Sequence, residues 1–311
     1  MNLLITGALG HIGSRFIHSL NPGDFDKVVL IDNMSAQRYA SLFNLPEGVP
    51  FTFIQDDICT ADLEEHFKGV DVVLHLAAIT DAASSFEIQD QVELVNYQGT
   101  ERVAKACEVT GSRLIFLSTT SVYGVQEGEV DEDCSIDQLQ PQSPYADTKL
   151  KSEQLLQEMG QNEMLRYVIC RFGTIFGTST GMRFHTAVNK FCWQAVMGQP
   201  ITVWRTALDQ KRPYLDLDDA IEALKLIINK DLFDGGLYNV VTANSTVGNI
   251  VDAISEHIPD AAIEYVDSPI MNQLSYNVNA DRFKDLGFEF NGSLERGISN
   301  TISLLKGARE G

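Results

Sequence analysis

The sequence predicts an α/β fold, in which a doubly wound parallel sheet is followed by a smaller mixed α/β C-terminal domain. Short apolar runs alternate with helix-type patterns, a glycine-spaced turn follows the first run, and the alternation loosens after Gly173. Such alternation is typical of parallel strands joined by crossover helices. The apolar runs lie at residues 3–6, 28–31, 51–54, 70–75 and 114–118, and helical patterns lie at 12–20 and 92–107.

The later elements indicate a second domain. A helix is predicted to begin after Pro144, run through Leu156 and stop at Gly160, and a strand follows at 167–171. Further on, helical patterns at 187–196, 219–228 and 246–257 are mixed with short strands at 201–204 and 237–241. We expect domains at 1–175 and 176–311, with some later segments returning to the first domain, and the second domain covering the carboxyl edge of the sheet.

Composition excludes several classes of partner. The 311 residues carry a formal net charge of −20 and no run of Lys or Arg, which argues against nucleic acid or an anionic membrane surface as partners. No apolar stretch approaches the roughly 18 residues of a membrane span. The five cysteines are odd in number without Cys-x-x-Cys spacing, and no histidine lies at metal-ligand spacing. We therefore expect reduced thiols, no metal and a cytoplasmic location.

The glycine-spaced turn directly follows the first predicted strand and leads into a helix. Without Cβ atoms, Gly7 can make a tight turn, Gly10 can admit a pyrophosphate to the backbone, and Gly13 can let helix and strand pack closely. The arrangement is typical of a Rossmann-type dinucleotide-binding domain, although its spacing differs from G-x-G-x-x-G. An ordinary strand-to-helix turn is the alternative.

Acidic residues at the next strand ends favour NAD as the dinucleotide. Asp32 ends the second strand about 20 residues past the last glycine, where a carboxylate accepts hydrogen bonds from ribose hydroxyls. That carboxylate would repel the 2′-phosphate of NADP, whereas Arg38, a few residues further along the sequence, could accommodate one. Asp57 and Ile58 follow the third strand and could meet the adenine. Turn formation by Asp32 and helix capping by Asp57 are the alternatives.

Tyr145 and Lys149, four residues apart at the start of a predicted helix, indicate redox chemistry on a bound dinucleotide. They would share one helix face, so the ammonium could lie near the phenol and the cofactor ribose and lower the pKa of the phenol. A hydroxyl-rich segment at 118–124 follows the strand at 114–118. Its side chains are expected at the carboxyl edge of the sheet, where ligands bind.

These motifs together resemble the extended short-chain dehydrogenase/reductase family, in its branch of nucleotide-sugar epimerases and dehydratases. The resemblance rests on T-G-A-L-G-H-I-G at 6–13, D-N-M-S at 32–35, H-L-A-A at 75–78, S-T-T-S-V-Y-G at 118–124 and Y-A-D-T-K at 145–149. It continues through R-P-Y-L-D-L-D-D-A at 212–220 and Y-N-V-V at 238–241. It therefore covers most of the chain.

The resemblance implies roles for individual residues. It makes Tyr145 the acid and base, Lys149 its ribose-bound partner and Thr119 the hydroxyl that hydrogen-bonds the sugar. Its implied NAD-binding set is Gly7, Gly10, His11, Ile12, Gly13, Asp32, Asn33, Asp57, Ile58, Leu76, Ala77, Ala78, Asn96, Tyr145 and Lys149. Its implied substrate-binding set is Thr80, Thr120, Thr174, Arg205 and Arg212. Arg212 would grip the substrate diphosphate, and Arg205 could share that role or be a solvated surface residue.

The departures from the family pattern narrow the reaction. Thr120 and Ser121 stand where 4,6-dehydratases carry Asp-Glu, Thr174 replaces a substrate-touching Asn, and residues 267–273 replace the usual Arg-Pro-Gly-Asp. The resemblance therefore implies an NAD-dependent nucleotide-sugar epimerase that acts through a transient keto-sugar, expected at C4, and that forms a homodimer. Net dehydrogenation, reduction or dehydration of a nucleotide sugar is the alternative, and a catalytically silent NAD-binding regulator is a third possibility.

Overall fold

A computed structural model describes residues 1–126, 128–161, 164–267 and 276–308 of the chain. Its strands are β1 (Asn2–Thr6), β2 (Lys27–Asp32), β3 (Phe51–Gln55), β4 (Val72–His75), β5 (Arg113–Thr119), β6 (Glu129–Val130), β7 (Tyr167–Phe172), β8 (Thr174–Phe176), β9 (Ile201–Trp204), β10 (Lys211–Asp216), β11 (Leu237–Val240), β12 (Ala243–Thr246), β13 (Ile263–Val266) and β14 (Asn277–Val278). Its α-helices are α1 (His11–His18), α2 (Leu63–His66), α3 (Gln89–Val92), α4 (Gly99–Thr110), α5 (Pro144–Gly160), α6 (Ala187–Val196), α7 (Leu217–Asn229), α8 (Val247–His257), α9 (Asp281–Lys284) and α10 (Leu294–Leu305).

The main sheet contains seven parallel strands in the order β11-β7-β5-β4-β1-β2-β3. Apolar residues fill both faces: Leu3 and Ile5 belong to one buried cluster, and Leu4 between them belongs to another. Parallel strands covered on both faces are expected to be nearly continuous in hydrophobicity, as these are. The chain runs outward in opposite directions from β1 and β4, so the strand order reverses between them. The predicted Rossmann-type fold class is confirmed.

Helix α5 begins where the sequence predicts. Ser143 caps its N-terminus by accepting a hydrogen bond from the Ala146 N–H at 3.2 Å, and Pro144 occupies the first helical position. The helix ends at Gly160, where a Cβ would lie 2.3 Å from the ring of Tyr167. A larger residue there would push the helix away from β7.

The helix predicted over 92–107 has a different form. It is interrupted by a π-helical segment, Glu93–Gln98, before α4 begins. Hydrophobic spacing does not distinguish a π-helical turn from an α-helical one over so few residues. The wider turn contains Asn96, which is fully buried beneath the carboxyl edge of the sheet. Such insertions often occur at functional sites.

The smaller part of the fold combines two short sheets with three helices. One sheet has the order β12-β10-β8 and the other pairs β13 with β9. Helices α6, α8 and α10 contribute to a separate apolar core, in which Gly297 lies so close to Phe176 that a Cβ would come within 2.6 Å of its ring. Strand β11, from the same half of the chain, pairs with β7 in the main sheet.

The acidic residues at the start of α7 have structural partners. Asp216 caps the helix by accepting from the Asp218 N–H at 2.8 Å, and Asp219 accepts from the Thr242 hydroxyl at 2.6 Å and from the Asn291 N–H at 2.9 Å. Among the ranges that the structure describes, no helix is both long and apolar enough to cross a bilayer. Residues 268–273 of the divergent segment lie outside the described ranges.

Candidate active site

A cavity of about 680 Å³ opens at the carboxyl edge of the main sheet, where the strand order reverses. In open α/β sheets this crevice is where ligands bind. It brings together most residues of the predicted site, whose individual roles stay predictions. Those in its lining are Gly7, Gly10, His11, Ile12, Gly13, Asp32, Asn33, Asp57, Ile58, Leu76, Ala77, Ala78, Thr80, Thr119, Tyr145, Lys149, Thr174 and Arg212.

The glycine turn leaves no room for side chains at two positions. Gly7 has φ +64°, and a Cβ there would lie 2.6 Å from the Ala77 nitrogen. A Cβ on Gly13 would lie 2.4 Å from the Ala8 carbonyl oxygen. Both contacts are too short for real atoms, so the turn can lie close to the segment after β4 and α1 can pack close to Ala8, while the backbone of the turn faces the cavity. This arrangement suits the close approach of a dinucleotide phosphate to the helix N-terminus.

Asp32 is fixed at the rim of the cavity by backbone hydrogen bonds. Its two oxygens accept from the Leu9 N–H at 3.1 Å and the Met34 N–H at 2.9 Å. Each carboxylate oxygen can accept a further bond, so ribose hydroxyls remain possible partners. Asn33 donates to Asp57 at 3.0 Å, which joins the ends of β2 and β3 across the same rim.

Tyr145 and Lys149 meet Thr119 at the bottom of the cavity. Burial raises the pKa of Tyr145 to about 12, and a side-chain hydrogen bond with Thr119 opposes the rise. Burial lowers the pKa of Lys149 to about 8, and the Glu153 carboxylate opposes that change. The Lys149 ammonium donates to the Leu117 carbonyl at 2.8 Å. The sequence predicted that Lys149 lowers the pKa of the phenol; in the chain by itself Lys149 is not among the causes of the shift, and burial raises that pKa instead.

Beneath these groups lies a buried polar network. Asn96 holds the segment after β4, since its side chain accepts from the Ile79 N–H at 2.8 Å and donates to the Ile79 carbonyl at 2.9 Å. His75 lies between the hydroxyls of Thr6 at 2.7 Å and Thr100 at 3.0 Å. Burial lowers the pKa of His75 to about 3, so the ring is neutral. Asn96 does not reach the cavity lining and acts on the site through the backbone of Ile79.

Two predicted substrate residues do not line the cavity. Thr120 is buried, and its hydroxyl donates to the Phe172 carbonyl at 3.3 Å. Arg205 is 65% exposed and lies over the Tyr265 ring at 5.5 Å, with Asp267 at 3.9 Å. Of the two readings of Arg205 from the sequence, this placement favours the solvated one.

Several polar residues of the lining were not predicted from the sequence. Thr186, Asn189 and Tyr214 each have a buried polar atom that lacks a hydrogen-bond partner among the residues described, and Arg183 and His185 add basic groups. No motif marks these positions, because they reach the cavity only through the packing of the second half of the chain on the first. Unsatisfied buried atoms of this kind are typical of a ligand site.

The residues present fit a dinucleotide beside a second polar ligand. The glycine turn can take phosphates, Asp32 can take a ribose, and Tyr145 with Thr119 can exchange a proton with a hydroxyl held in the same cavity. The sequence model of the NAD dependent epimerase/dehydratase family matches residues 3–240. This match extends from the glycine turn through β11, and so covers every element that contributes to the bottom of the cavity.

Relatives and solved structures agree with that match. An uncharacterized UDP-glucose epimerase of Bacillus subtilis (strain 168) is 31% identical over 324 residues, which cover 100% of both chains. A trifunctional UDP-glucose 4,6-dehydratase/UDP-4-keto-6-deoxy-D-glucose 3,5-epimerase/UDP-4-keto-L-rhamnose-reductase of Arabidopsis thaliana is 30% identical over 320 residues, which are 97% of this chain but 46% of that protein. This chain therefore spans about half the length of the Arabidopsis relative.

A crystal structure of UDP-glucuronic acid 4-epimerase from Bacillus cereus, in complex with UDP-glucuronic acid and NAD, superposes with a TM-score of 0.89 at 26% identity and covers 99% of each chain. The chain belongs to the NAD dependent epimerase/dehydratase family and is an NAD-dependent enzyme, as the sequence motifs predicted.

Proposed function

We propose that this enzyme epimerises a UDP-activated sugar, at C4, through a transient keto-sugar. The observation that carries the proposal is the convergence of Thr119, Tyr145 and Lys149 beside the glycine turn in one cavity. The UDP-sugar epimerases among its relatives and structural neighbours support the substrate class. When bound, NAD supplies a reversible hydride acceptor.

The residues of the chain would divide the remaining work. Tyr145 removes the proton of the sugar hydroxyl in one half-reaction and returns a proton in the other, with Thr119 hydrogen-bonded to its phenol. Lys149 would hold the cofactor ribose, and the glycine turn and Asp32 would hold its phosphates and other ribose. Thr80, Thr174 and Arg212, which line the same cavity, would hold the nucleotide sugar.

A net dehydratase or reductase is the second candidate, because the Arabidopsis relative carries both activities in its name. The turn after β5 argues against dehydration here. Thr120 is turned to the Phe172 carbonyl, and neither it nor Ser121 provides the carboxyl group of the dehydratase pattern. A catalytically silent NAD-binding regulator would have no use for the intact Thr119, Tyr145 and Lys149 set.

Replacement of Tyr145 by Phe tests the assignment. Positioned proton transfer contributes about 10² to 10⁴-fold, so Tyr145→Phe should lose at least 100-fold in turnover while still binding NAD. Turnover is measured by NMR of the C4 epimers of UDP-sugars, without added cofactor. Tyr39→Phe is a matched control, because Tyr39 is 55% exposed. Near-full turnover in Tyr145→Phe would refute the role, and stoichiometric NADH release by the parent would indicate a net dehydrogenase.

The proposal also includes the oligomeric state of the enzyme and its location in the cell. We expect a homodimer that packs through the helices that contain Asn96 and Tyr145. The exposed apolar side chains of Phe86, Ile88 and Leu94, near the start of the Asn96 helix, support this surface. The free thiols of all five cysteines accord with a cytoplasmic location.

A further inference from the structure

Tyr276 is a buried tyrosine that contacts the turn after β5 and is not part of the described lining of the cavity. It is 4% exposed, and its hydroxyl donates to the Thr120 carbonyl at 3.0 Å. Its ring centre lies 6.2 Å from that of Tyr123, with the two planes inclined at 55°. Tyr276 therefore reaches the turn that begins at Thr119 from behind the site.

The same turn orients the Thr119 hydroxyl. The Ser121 N–H donates to Thr119 Oγ1 at 3.2 Å, at the start of a short 3₁₀ turn, Thr120–Tyr123. Thr119 is also the hydrogen-bond partner of the Tyr145 phenol and opposes the rise of its pKa. Because Oγ1 accepts from the backbone, the single proton of this hydroxyl remains available for donation to the phenolate form of Tyr145.

One peptide group connects Tyr276 with Thr119. The carbonyl that accepts from Tyr276 belongs to Thr120, and the N–H that donates to Thr119 belongs to Ser121, so both are parts of the peptide bond between residues 120 and 121. A trans peptide group is planar, and its C=O and N–H point in opposite directions. A hydrogen bond to the carbonyl therefore fixes the direction of the N–H, and by polarising the group it also strengthens the N–H as a donor.

Tyr276 is itself held by segments that are far apart in the sequence. Its backbone N–H donates to the Lys211 carbonyl, at the start of β10, at 3.2 Å. Its ring belongs to a small buried cluster that includes Tyr123 and Val278. Val278 lies in β14, which pairs with β6. Because these contacts set the position of the Tyr276 hydroxyl, the hydroxyl can in turn fix the turn after β5.

Other polar groups also face the Tyr276 hydroxyl. Burial raises the pKa of Tyr276 to about 12, and a side-chain hydrogen bond with Thr120, the charge of Arg212 and a side-chain hydrogen bond with Ser121 oppose the rise. The phenol is therefore protonated near neutral pH and can donate to the carbonyl. Because Arg212 is the residue predicted to grip the substrate diphosphate, an effect of Tyr276 on substrate binding is the alternative to an effect on Thr119.

We propose that Tyr276 is a positioning residue for proton transfer: through the peptide group between Thr120 and Ser121, its hydroxyl holds the Thr119 hydroxyl in the direction of Tyr145. The inference rests on the proposed function for the roles of Thr119 and Tyr145. The two hydrogen bonds on opposite ends of one peptide group favour this route over the one through Arg212, for which the structure shows only the proximity of a charge.

Tyr276→Phe removes the hydroxyl and keeps the ring in its cluster. Loss of this hydrogen bond should lower kcat about 3- to 10-fold, while KM for the UDP-sugar and the Kd for NAD stay within twofold of the parent. Turnover is measured by NMR of the C4 epimers, and circular dichroism checks the fold. Tyr238→Phe is the matched control, because Tyr238 is 7% exposed, donates to Asp234 at 3.0 Å and is absent from the described lining of the cavity. Its kcat should stay within twofold of the parent.

A double-mutant cycle with Thr119→Val tests the route of the effect. Valine removes the hydroxyl at nearly constant volume, and its slow turnover is measured with enzyme in excess over substrate. If Tyr276 acts through the Thr119 hydroxyl, Tyr276→Phe should lower turnover by less than twofold in the Thr119→Val background. A loss in that background equal to the loss in the parent would mean that the two side chains act independently, and would overturn the proposal.

Three further outcomes would also contradict the positioning role. A kcat within twofold of the parent in Tyr276→Phe overturns it and leaves the proposed function standing. A raised KM with weaker UDP binding and unchanged kcat would assign Tyr276 to Arg212 and the substrate. An equal loss of kcat in Tyr238→Phe would reduce Tyr276 to a structural residue. A parent chain that epimerises no UDP-sugar overturns the proposed function, and the positioning role with it.

Discussion

Lys149 is a lysine whose side chain is almost fully buried at the bottom of the cavity. It is 4% exposed, donates to the Leu117 carbonyl and lies 4.7 Å from the centre of the Phe116 ring. These contacts satisfy only part of what an ammonium group loses on leaving water. Burial therefore lowers the pKa of Lys149 to about 8, and the Glu153 carboxylate opposes the change.

The buried ammonium should make stability depend on pH. With a folded pKa of about 8 against 10.5 unfolded, the unfolded chain binds more protons in between, so this lysine's contribution becomes more favourable as pH rises from 8 to 10.5. Below about pH 8 its burial penalty is fully present. The free energy of unfolding in urea should be measured for the cofactor-free parent and for Lys149→Met between pH 8 and 10.5. The stability of the variant relative to the parent should decrease across that range. A difference that does not change with pH would contradict the shift.

Single residues at this scale were predictable where chemistry demands one residue type at one place. Tyr145, Lys149 and the glycines at 7, 10 and 13 fall into this class. The pKa of the Tyr145 phenol was not predictable in this way, because it depends on burial by the whole fold. Arg205 shows the same limit: its sequence position resembles a substrate contact, while its side chain lies on the surface beside Tyr265.

Helix α5 carries a further buried charged residue beyond Lys149. Glu153 lies one further turn along the same face and forms a buried pair with Arg171 of β7, with Nη2 to Oε2 at 2.6 Å and Nε to Oε1 at 3.0 Å. The Ser118 hydroxyl donates to the same carboxylate. The pair therefore fixes α5 against β5 and β7, and with it the positions of Tyr145 and Lys149.

Removing one partner of this pair should be far more damaging than removing an exposed one. Glu153→Gln leaves the Arg171 charge buried, so it should lower the free energy of unfolding by about 3–5 kcal/mol. Glu101→Gln breaks the exposed pair with Lys105 within α4, where the lysine side chain is 61% exposed, and should lower it by less than about 0.5 kcal/mol. Urea unfolding of both variants provides the comparison. Similar losses would mean that burial does not set the strength of the pair.

Whole elements were predictable where they repeat a strong pattern. The strands of the main sheet and the helices α1, α5, α6, α7 and α8 follow apolar periodicity and capping signals. Two-residue strands such as β6 and β14 carry no such signal, because they form only when distant segments meet. The π-helical turn at Glu93–Gln98 also has no local signature, since its benefit is the contact between Asn96 and Ile79.

At the scale of the molecule, the least predictable feature is how the second half of the chain completes a site begun by the first. The family motifs predict the cofactor-binding residues, most of which lie near the ends of strands. The order of the strands in the main sheet is enough to bring these residues together. Arg183 and its neighbours reach the same cavity with the help of long-range contacts such as that of Ser14 with Gly181. The sequence of residues 177–186 carries no motif that predicts the contact with Ser14.

The strong acidity of the chain should make its stability depend on salt. With 43 acidic and 23 basic residues, 20 negative charges have no positive counterpart, so net repulsion favours expansion of the folded state. Raising ionic strength shortens the Debye length from about 30 Å at 0.01 M to about 10 Å at 0.1 M, which screens this repulsion more than it screens short ion pairs such as Arg171 with Glu153. The urea midpoint should therefore rise between 0.01 and about 0.2 M NaCl, and rise equally with KCl. A midpoint that falls over this range would show that surface ion pairs outweigh the net repulsion.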